Sequence, residues 1–153
     1  MRVVVQRVSR AQVTIAERSV GKINRGLMLL VAFNDQDTAA DLDYAVRKIT
    51  NLRIFENEEG KMDWSINEVG GAILSVSQFT LFASTKKGNR PSFTKSGNPE
   101  TASQLYDEFN QRLAQTGIPV QTGEFGADMQ VELVNDGPVT ILLDTQNKIG
   151  RAS

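Results

Sequence analysis

Two short stretches hold the residues whose types and order could do chemistry. Ser77-Gln78-Phe79-Thr80 follows the apolar run Ala72 to Val76, which sets two hydroxyls and an amide at the end of a buried strand. Asn135-Asp136-Gly137-Pro138-Val139-Thr140 joins two further strand-like runs, Met129 to Val134 and Val139 to Asp144. The plain structural reading of the first stretch is an alternating strand, with Gln78 and Thr80 outward and Phe79 and Leu81 inward. The plain reading of the second is a hairpin, because an Asn-Asp-Gly-Pro series is a strong turn signal. Proline there also admits a cis peptide at modest cost. A third group, Lys86, Lys87 and Arg90, reads either as phosphate contacts or as a solvated basic loop.

What the chain lacks narrows the chemistry further. It has no histidine and no cysteine. Triads built on an imidazole, zinc-thiolate sites, disulfides and thiol nucleophiles are therefore excluded. A hydrolytic reaction must draw on carboxylates, hydroxyls, Lys or Arg, backbone groups, or the substrate itself. Thr80 as a nucleophile would need a base, and the sequence sets no Lys or Asp beside it. Asp128, Glu132 and Asp136 match no metal-ligand spacing, so neither a metal nor a cofactor is expected.

These stretches need elements to hold them. Val3 to Val8 and Gln12 to Ile15 read as strands, and Gly21 to Ile23 as a short one. Asn24-Arg25-Gly26 reads as a turn before Leu27 to Phe33, an unbroken apolar run suited to a strand buried on both faces. Asp37 is the expected cap of a helix whose apolar face is Leu42, Ala45, Val46 and Ile49. Arg53 to Phe55 reads as a short strand and Glu56 to Lys61 as a turn around Gly60. Ser84 to Asn98 is a polar loop. Asn98 caps a second helix with Pro99 at its first position, a buried stripe of Ala102, Leu105, Tyr106, Phe109 and Leu113, and Gly117 as its stop. Many strands and two helices predict an α/β fold: one domain over residues 1–153, with a layered, mixed or mostly antiparallel and barrel-like sheet and the helices packed on it.

Composition agrees. The 153 residues are 40% hydrophobic and 23% charged, values that suit a chain burying its own core. The opening Met1 to Arg7 is too short an apolar run for a signal peptide, and no run approaches a membrane span, so a cytoplasmic protein is expected. A formal net charge of −1 argues against wrapping a nucleic acid and confines any RNA contact to a small patch.

Taken together, Ser77-Gln78-Phe79-Thr80 and Asn135-Asp136-Gly137-Pro138-Val139-Thr140 resemble the two signature motifs of the D-aminoacyl-tRNA deacylase family. The opening Met1-Arg2-Val3-Val4-Val5-Gln6-Arg7-Val8 and the loop Lys86-Lys87-Gly88-Asn89-Arg90-Pro91-Ser92-Phe93 resemble it too. The resemblance runs end to end, with no departure in either motif. It implies a cytoplasmic homodimer that hydrolyses the ester of a D-amino acid on the acceptor end of tRNA, with no cofactor and no DNA or membrane partner. It implies a cis Gly137-Pro138 peptide that enters the partner subunit's site, grips the substrate ammonium with its carbonyls, and crowds out an L side chain. Selection by exclusion suits many D-amino acids, and it leaves glycine on tRNA for alanine unrejected. Asn135 belongs to the same loop, and Arg7 would brace that loop as it enters. Backbone N–H groups near Phe79 and Thr80 would form the oxyanion hole, Ser77 and Gln78 would shape the pocket, and the terminal ribose 2′-hydroxyl would assist the reaction. Lys86, Lys87 and Arg90 would meet phosphates, and Phe79 or Phe93 could stack on the terminal adenine.

The competing readings are a non-catalytic RNA-binding module, an editing domain for another mischarged aminoacyl-tRNA, and a metal-dependent hydrolase. Turnover of D-Tyr-tRNA, its comparison with L-Tyr-tRNA and L-Ser-tRNA, and the response to EDTA separate them.

Overall fold

A computed structural model describes residues 1–147. In chain order the strands are β1 (Arg2–Ile15), β2 (Arg18–Ile23), β3 (Gly26–Ala32), β4 (Phe55–Glu56), β5 (Met62–Trp64), β6 (Ala72–Ser77), β7 (Val120–Thr122) and β8 (Gln130–Asp144). Helix α1 spans Ala39–Asn51 and α2 spans Pro99–Ala114, with a short 3₁₀ turn over Phe79–Phe82 between β6 and α2. The main sheet runs β2-β1-β3-β6-β7, and β8 lies along β1. Pairings of β1 with β2, β3 and β8 are antiparallel, while β3-β6 and β6-β7 are parallel.

Strand β1 organises the molecule. Its first half pairs with β3 and its second half with β2, while β8 follows nearly its whole length. The sheet curls until β2 meets β7, where a Cβ added at Gly21 would sit 2.9 Å from the Thr122 carbonyl oxygen. This near-closure makes the sheet barrel-like. One apolar cluster lies inside the curl, with Val8, Val13, Ile23, Met28, Leu74 and Val76. The other lies between the sheet and both helices, with Val3, Val5, Leu27, Leu29, Val31, Leu42, Ile49 and Phe109. Strand β3 contributes to both, and this two-faced burial is why its sequence is apolar without alternation.

Several local expectations are corrected. Val3 to Val8 and Gln12 to Ile15 are one continuous strand, because β8 bridges the polar residues between them. Met129 to Val134 and Val139 to Asp144 do not form a hairpin. From Gln130 on they are collinear parts of β8, both paired to β1, and the Asn-Asp-Gly-Pro stretch bulges out of the strand without reversing it. Helix α1 is capped by Thr38, whose backbone N–H donates to Asp41 Oδ2 at 2.8 Å. Asp37 instead holds the N-terminal ammonium at 2.6 Å. The short strand expected from Arg53 begins at Phe55, and β5 and β7 are additional strands. Asn98 caps α2 as expected, its Oδ1 accepting from the Glu100 N–H at 2.9 Å.

Candidate active site

Where β6 ends, the ladder continues for one more bond, from the Gln78 N–H to the Val31 carbonyl at 2.8 Å. The chain then turns instead of extending. Leu81 N–H donates to the Gln78 carbonyl at 3.3 Å and Ala83 N–H to the Thr80 carbonyl at 3.0 Å. The alternating strand read from Phe79 and Leu81 is therefore replaced by a 3₁₀ turn. An i-to-i+3 pattern supplies no acceptor to its first N–H groups, which here belong to Phe79 and Thr80. Beside them, Thr80 Oγ1 donates to Gln78 Oε1 at 2.6 Å. The hydroxyl proton of Thr80 is thus committed to an amide oxygen, which is no general base.

The turn is fixed from two sides. Arg2 Nη1 donates to the Leu81 carbonyl at 2.8 Å, its guanidinium lies 4.6 Å from the centre of the Phe82 ring, and its Nε donates to Asp144 Oδ2 at 3.2 Å. From the other side, Ser96 Oγ donates to the Phe79 carbonyl at 3.3 Å, and Phe93 meets Phe79 edge to face with ring centres 5.1 Å apart. Lys86, Lys87 and Arg90 are exposed on the loop that Ser84 and Ser92 close by reciprocal backbone bonds of 2.7 and 2.9 Å. Deeper down, the Tyr106 hydroxyl donates to the Ser75 carbonyl at 2.6 Å, two residues before Ser77, which anchors β6 to α2.

The second stretch is equally determined. Asn135 Oδ1 accepts from the Val139 N–H at 2.7 Å, and its Nδ2 donates to Thr140 Oγ1 at 3.0 Å, so one amide spans the base of the bulge. Arg7, only 6% exposed, donates from Nε to the Asp136 carbonyl and from Nη1 to the Ile54 carbonyl, both at 2.7 Å. The loop that Arg7 braces here is thus its own chain's. The Gly137-Pro138 peptide is cis, and Gly137 has a φ of +148° that side-chain-bearing residues avoid. Asp136, Gly137 and Pro138 are all exposed.

One copy does not bring the two stretches together. Ser77 sits in the cross-sheet row with Val31, Val3 and Leu143, whereas the bulge lies beside Arg7, in the row of Leu27 and Ile73. Strand geometry makes that about 13 Å along the strands and about 14 Å across them. Ser77, Gln78, Phe79 and Thr80 do gather with the loop carrying Lys86, Lys87 and Arg90. Arg7, Asn135, Gly137 and Pro138 gather at the other corner. Sequence reasoning missed Arg2, Tyr106 and Ser96, whose partners are distant in the chain and leave no local signal.

The model of the D-Tyr-tRNA(Tyr) deacylase family matches residues 4–144, nearly the whole chain and both stretches. The chain belongs to this family. A D-Tyr-tRNA(Tyr) deacylase family member is a hydrolase that deacylates D-aminoacyl-tRNA. Among solved structures, the deacylase resembles one titled c-Myc DNA unwinding element binding protein, at 44% identity and a TM-score of 0.89, covering 94% of this chain and 98% of that one. A structure titled as a probable eukaryotic D-amino acid tRNA deacylase shares the fold at 23% identity and a TM-score of 0.79, with the same coverage. Among the described residues no helix is long and apolar enough to cross a membrane.

Proposed function

We propose that this deacylase is a cytoplasmic homodimer that reads handedness with main-chain atoms and leaves acid–base chemistry to its RNA substrate. The observation that carries this reading is the separation of Gln78 from Gly137 within one copy, combined with the exposure of Asp136-Gly137-Pro138. A projecting loop held so firmly by Arg7 and Asn135 suits insertion into a second copy. Strand β8 pairs only with β1 among the described residues, and it presents Leu142, 76% exposed, on one side of the bulge and exposed Val131 and Val134 on the other. An unpaired edge with apolar side chains favours self-association.

In this assembly the loop's carbonyls receive the substrate ammonium, and its bulk occupies the space an L side chain would need. A D side chain points away, so identity matters little, and glycyl-tRNA(Ala) is also cleaved. Water adds to the ester carbonyl, the free N–H groups of Phe79 and Thr80 hold the resulting oxyanion, and the ribose 3′-oxygen leaves with a proton relayed by the neighbouring 2′-hydroxyl. Each oxyanion donor of this kind contributes about 10²–10³ in rate. The lack of histidine and the engagement of Thr80 with Gln78 support the RNA-assisted route over a Thr80 nucleophile.

The test is a comparison of D-Tyr-tRNA, L-Tyr-tRNA and a D-Tyr-tRNA ending in 2′-deoxyadenosine. The expected result is rapid cleavage of the first, none of the second, and cleavage of the third slower by at least about tenfold. Equal rates on the ribose and deoxyribose substrates would overturn the RNA-assisted route and restore Thr80 as nucleophile.

A further inference from the structure

Residues 77–98 carry Lys86, Lys87, Arg90 and Lys95 and no acidic residue, in a chain whose net charge is −1, so the remainder of the molecule carries −5. The same segment displays Phe79, 56% exposed, and Phe93, 36% exposed. Burial does not account for either ring. What places them is the network of the segment itself: the Ser84–Ser92 backbone pair adjoining Phe93, and the Ser96 hydroxyl on the Phe79 carbonyl. Exposed aromatics interleaved with cations are the combination that binds single-stranded nucleic acid.

We propose that Phe93, with Lys86, Lys87 and Arg90, forms a subsite for the nucleotide immediately 5′ of the terminal adenosine of the substrate RNA. The inference rests on the deacylase reading above and specifies how much of the RNA that site holds. The two ring planes are inclined by 62° with centres 5.1 Å apart. Bases stacked on both cannot lie parallel, as they do in a helix. The pair therefore fits an end whose last two bases are splayed apart, which an unpaired acceptor end can become and a duplex cannot. Phe79, on the turn that carries the oxyanion donors, lies under the last base; Phe93 then takes the one before it. Lys86, Lys87 and Arg90 precede Phe93 in the loop and Lys95 follows it, where the phosphates on either side of that nucleotide would run.

The experiment uses the full-length protein and two minimal substrates, D-tyrosyl-adenosine and the D-tyrosyl ester of the dinucleotide cytidylyl-adenosine. The readout is the ratio of kcat/KM for the dinucleotide over the nucleoside, measured alongside D-Tyr-tRNA. Wild type should show a ratio of about ten or more, carried mainly by KM and declining with salt. Phe93→Leu should bring the ratio to about one, and Phe93→Trp should keep it. Lys86→Gln with Lys87→Gln should flatten its salt dependence. A wild-type ratio near one, or a ratio unchanged in Phe93→Leu, overturns the subsite while the deacylase reading stands. Failure to cleave D-Tyr-tRNA at all overturns the deacylase reading itself. Leucine keeps an apolar side chain against Phe79, so a cooperative melting transition within a few degrees of wild type is expected and shows that the variant is folded.

Discussion

The guanidinium of Arg7 donates to the carbonyl of Asp136 at 2.7 Å, and thereby ties a buried strand residue to an exposed loop 129 positions away. A second bond to the Ile54 carbonyl uses another edge of the same fork. Arg7→Ala leaves both carbonyls short of a donor, at a cost of about 1–3 kcal/mol for the buried one. Calorimetry should show the melting temperature falling by several degrees, and activity on D-Tyr-tRNA should fall further than stability does. Arg7→Lys should recover part of the stability and little of the activity, since an ammonium cannot reproduce the fork. Full activity in Arg7→Ala would contradict a role for this loop.

Arg2 makes a comparable bond at the opposite corner, to the Leu81 carbonyl within the 3₁₀ turn. Its side chain is partly exposed, so its loss should cost little stability, on the order of 1 kcal/mol. The turn that aims the Phe79 and Thr80 N–H groups should nevertheless loosen. Steady-state kinetics of Arg2→Ala should show kcat lowered about tenfold or more with KM nearly unchanged, the pattern of an interaction made in the transition state. A change confined to KM would refute this assignment.

Complementation tests the two-copy site. Gln78→Ala removes the acceptor for Thr80, while Gly137→Ala forces a Cβ to within 2.7 Å of Val139 Cγ2 and 2.9 Å of the Val139 nitrogen at a φ of +148°. Each variant alone should be nearly inactive. Mixed in equal amounts and allowed to exchange, they should regain about a quarter of wild-type activity, because half the dimers are mixed and each of these has one intact site. No recovery on mixing well-folded variants would place both stretches in the service of a single copy.

Stability should bend at both ends of the pH scale. Burial tends to raise the Asp41 carboxyl, but the Thr38 N–H, the Thr145 hydroxyl, the N-terminal ammonium and the Thr38 hydroxyl outweigh it, so its pKa lies below the ordinary 3.8. That contribution is complete above the unfolded-state value and disappears as pH falls through the folded one. Burial raises the Tyr106 phenol above 10.0 despite hydrogen bonds from its neighbours. Stability is therefore held up to about pH 10 and declines above it, as the unfolded chain ionises first. Denaturant titrations of Asp41→Asn and Tyr106→Phe should show a shallower acid limb in the first and a shallower alkaline limb in the second; limbs matching wild type would count against these two groups.

The parts of the fold legible in sequence were those governed by period and by punctuation. Helix α2 announced itself through Asn98, Pro99 and a stripe from Ala102 to Leu113, and β3 through an apolar run that only two-sided burial explains. Asn135 to Pro138 misled as a hairpin because local turn chemistry cannot reveal that β1 extends far enough to pair on both sides of it. The strand reading of Phe79 and Leu81 failed for a related reason: Arg2, from the far end of the chain, and Ser96 hold a turn that alternation alone would not predict. The site's residue types were readable through their order and family likeness, while their division between two corners of the sheet depended on register.

Charge is unevenly distributed along the chain, purely cationic over residues 77–98 and net acidic over the remainder. An approaching polyanion is drawn toward the segment where cations stand without acids. Steering of this sort acts on the frequency of productive encounters more than on the strength of the final complex, and it weakens as ionic strength rises. A nearly neutral protein can in this way find the tip of a large RNA without being captured along its length.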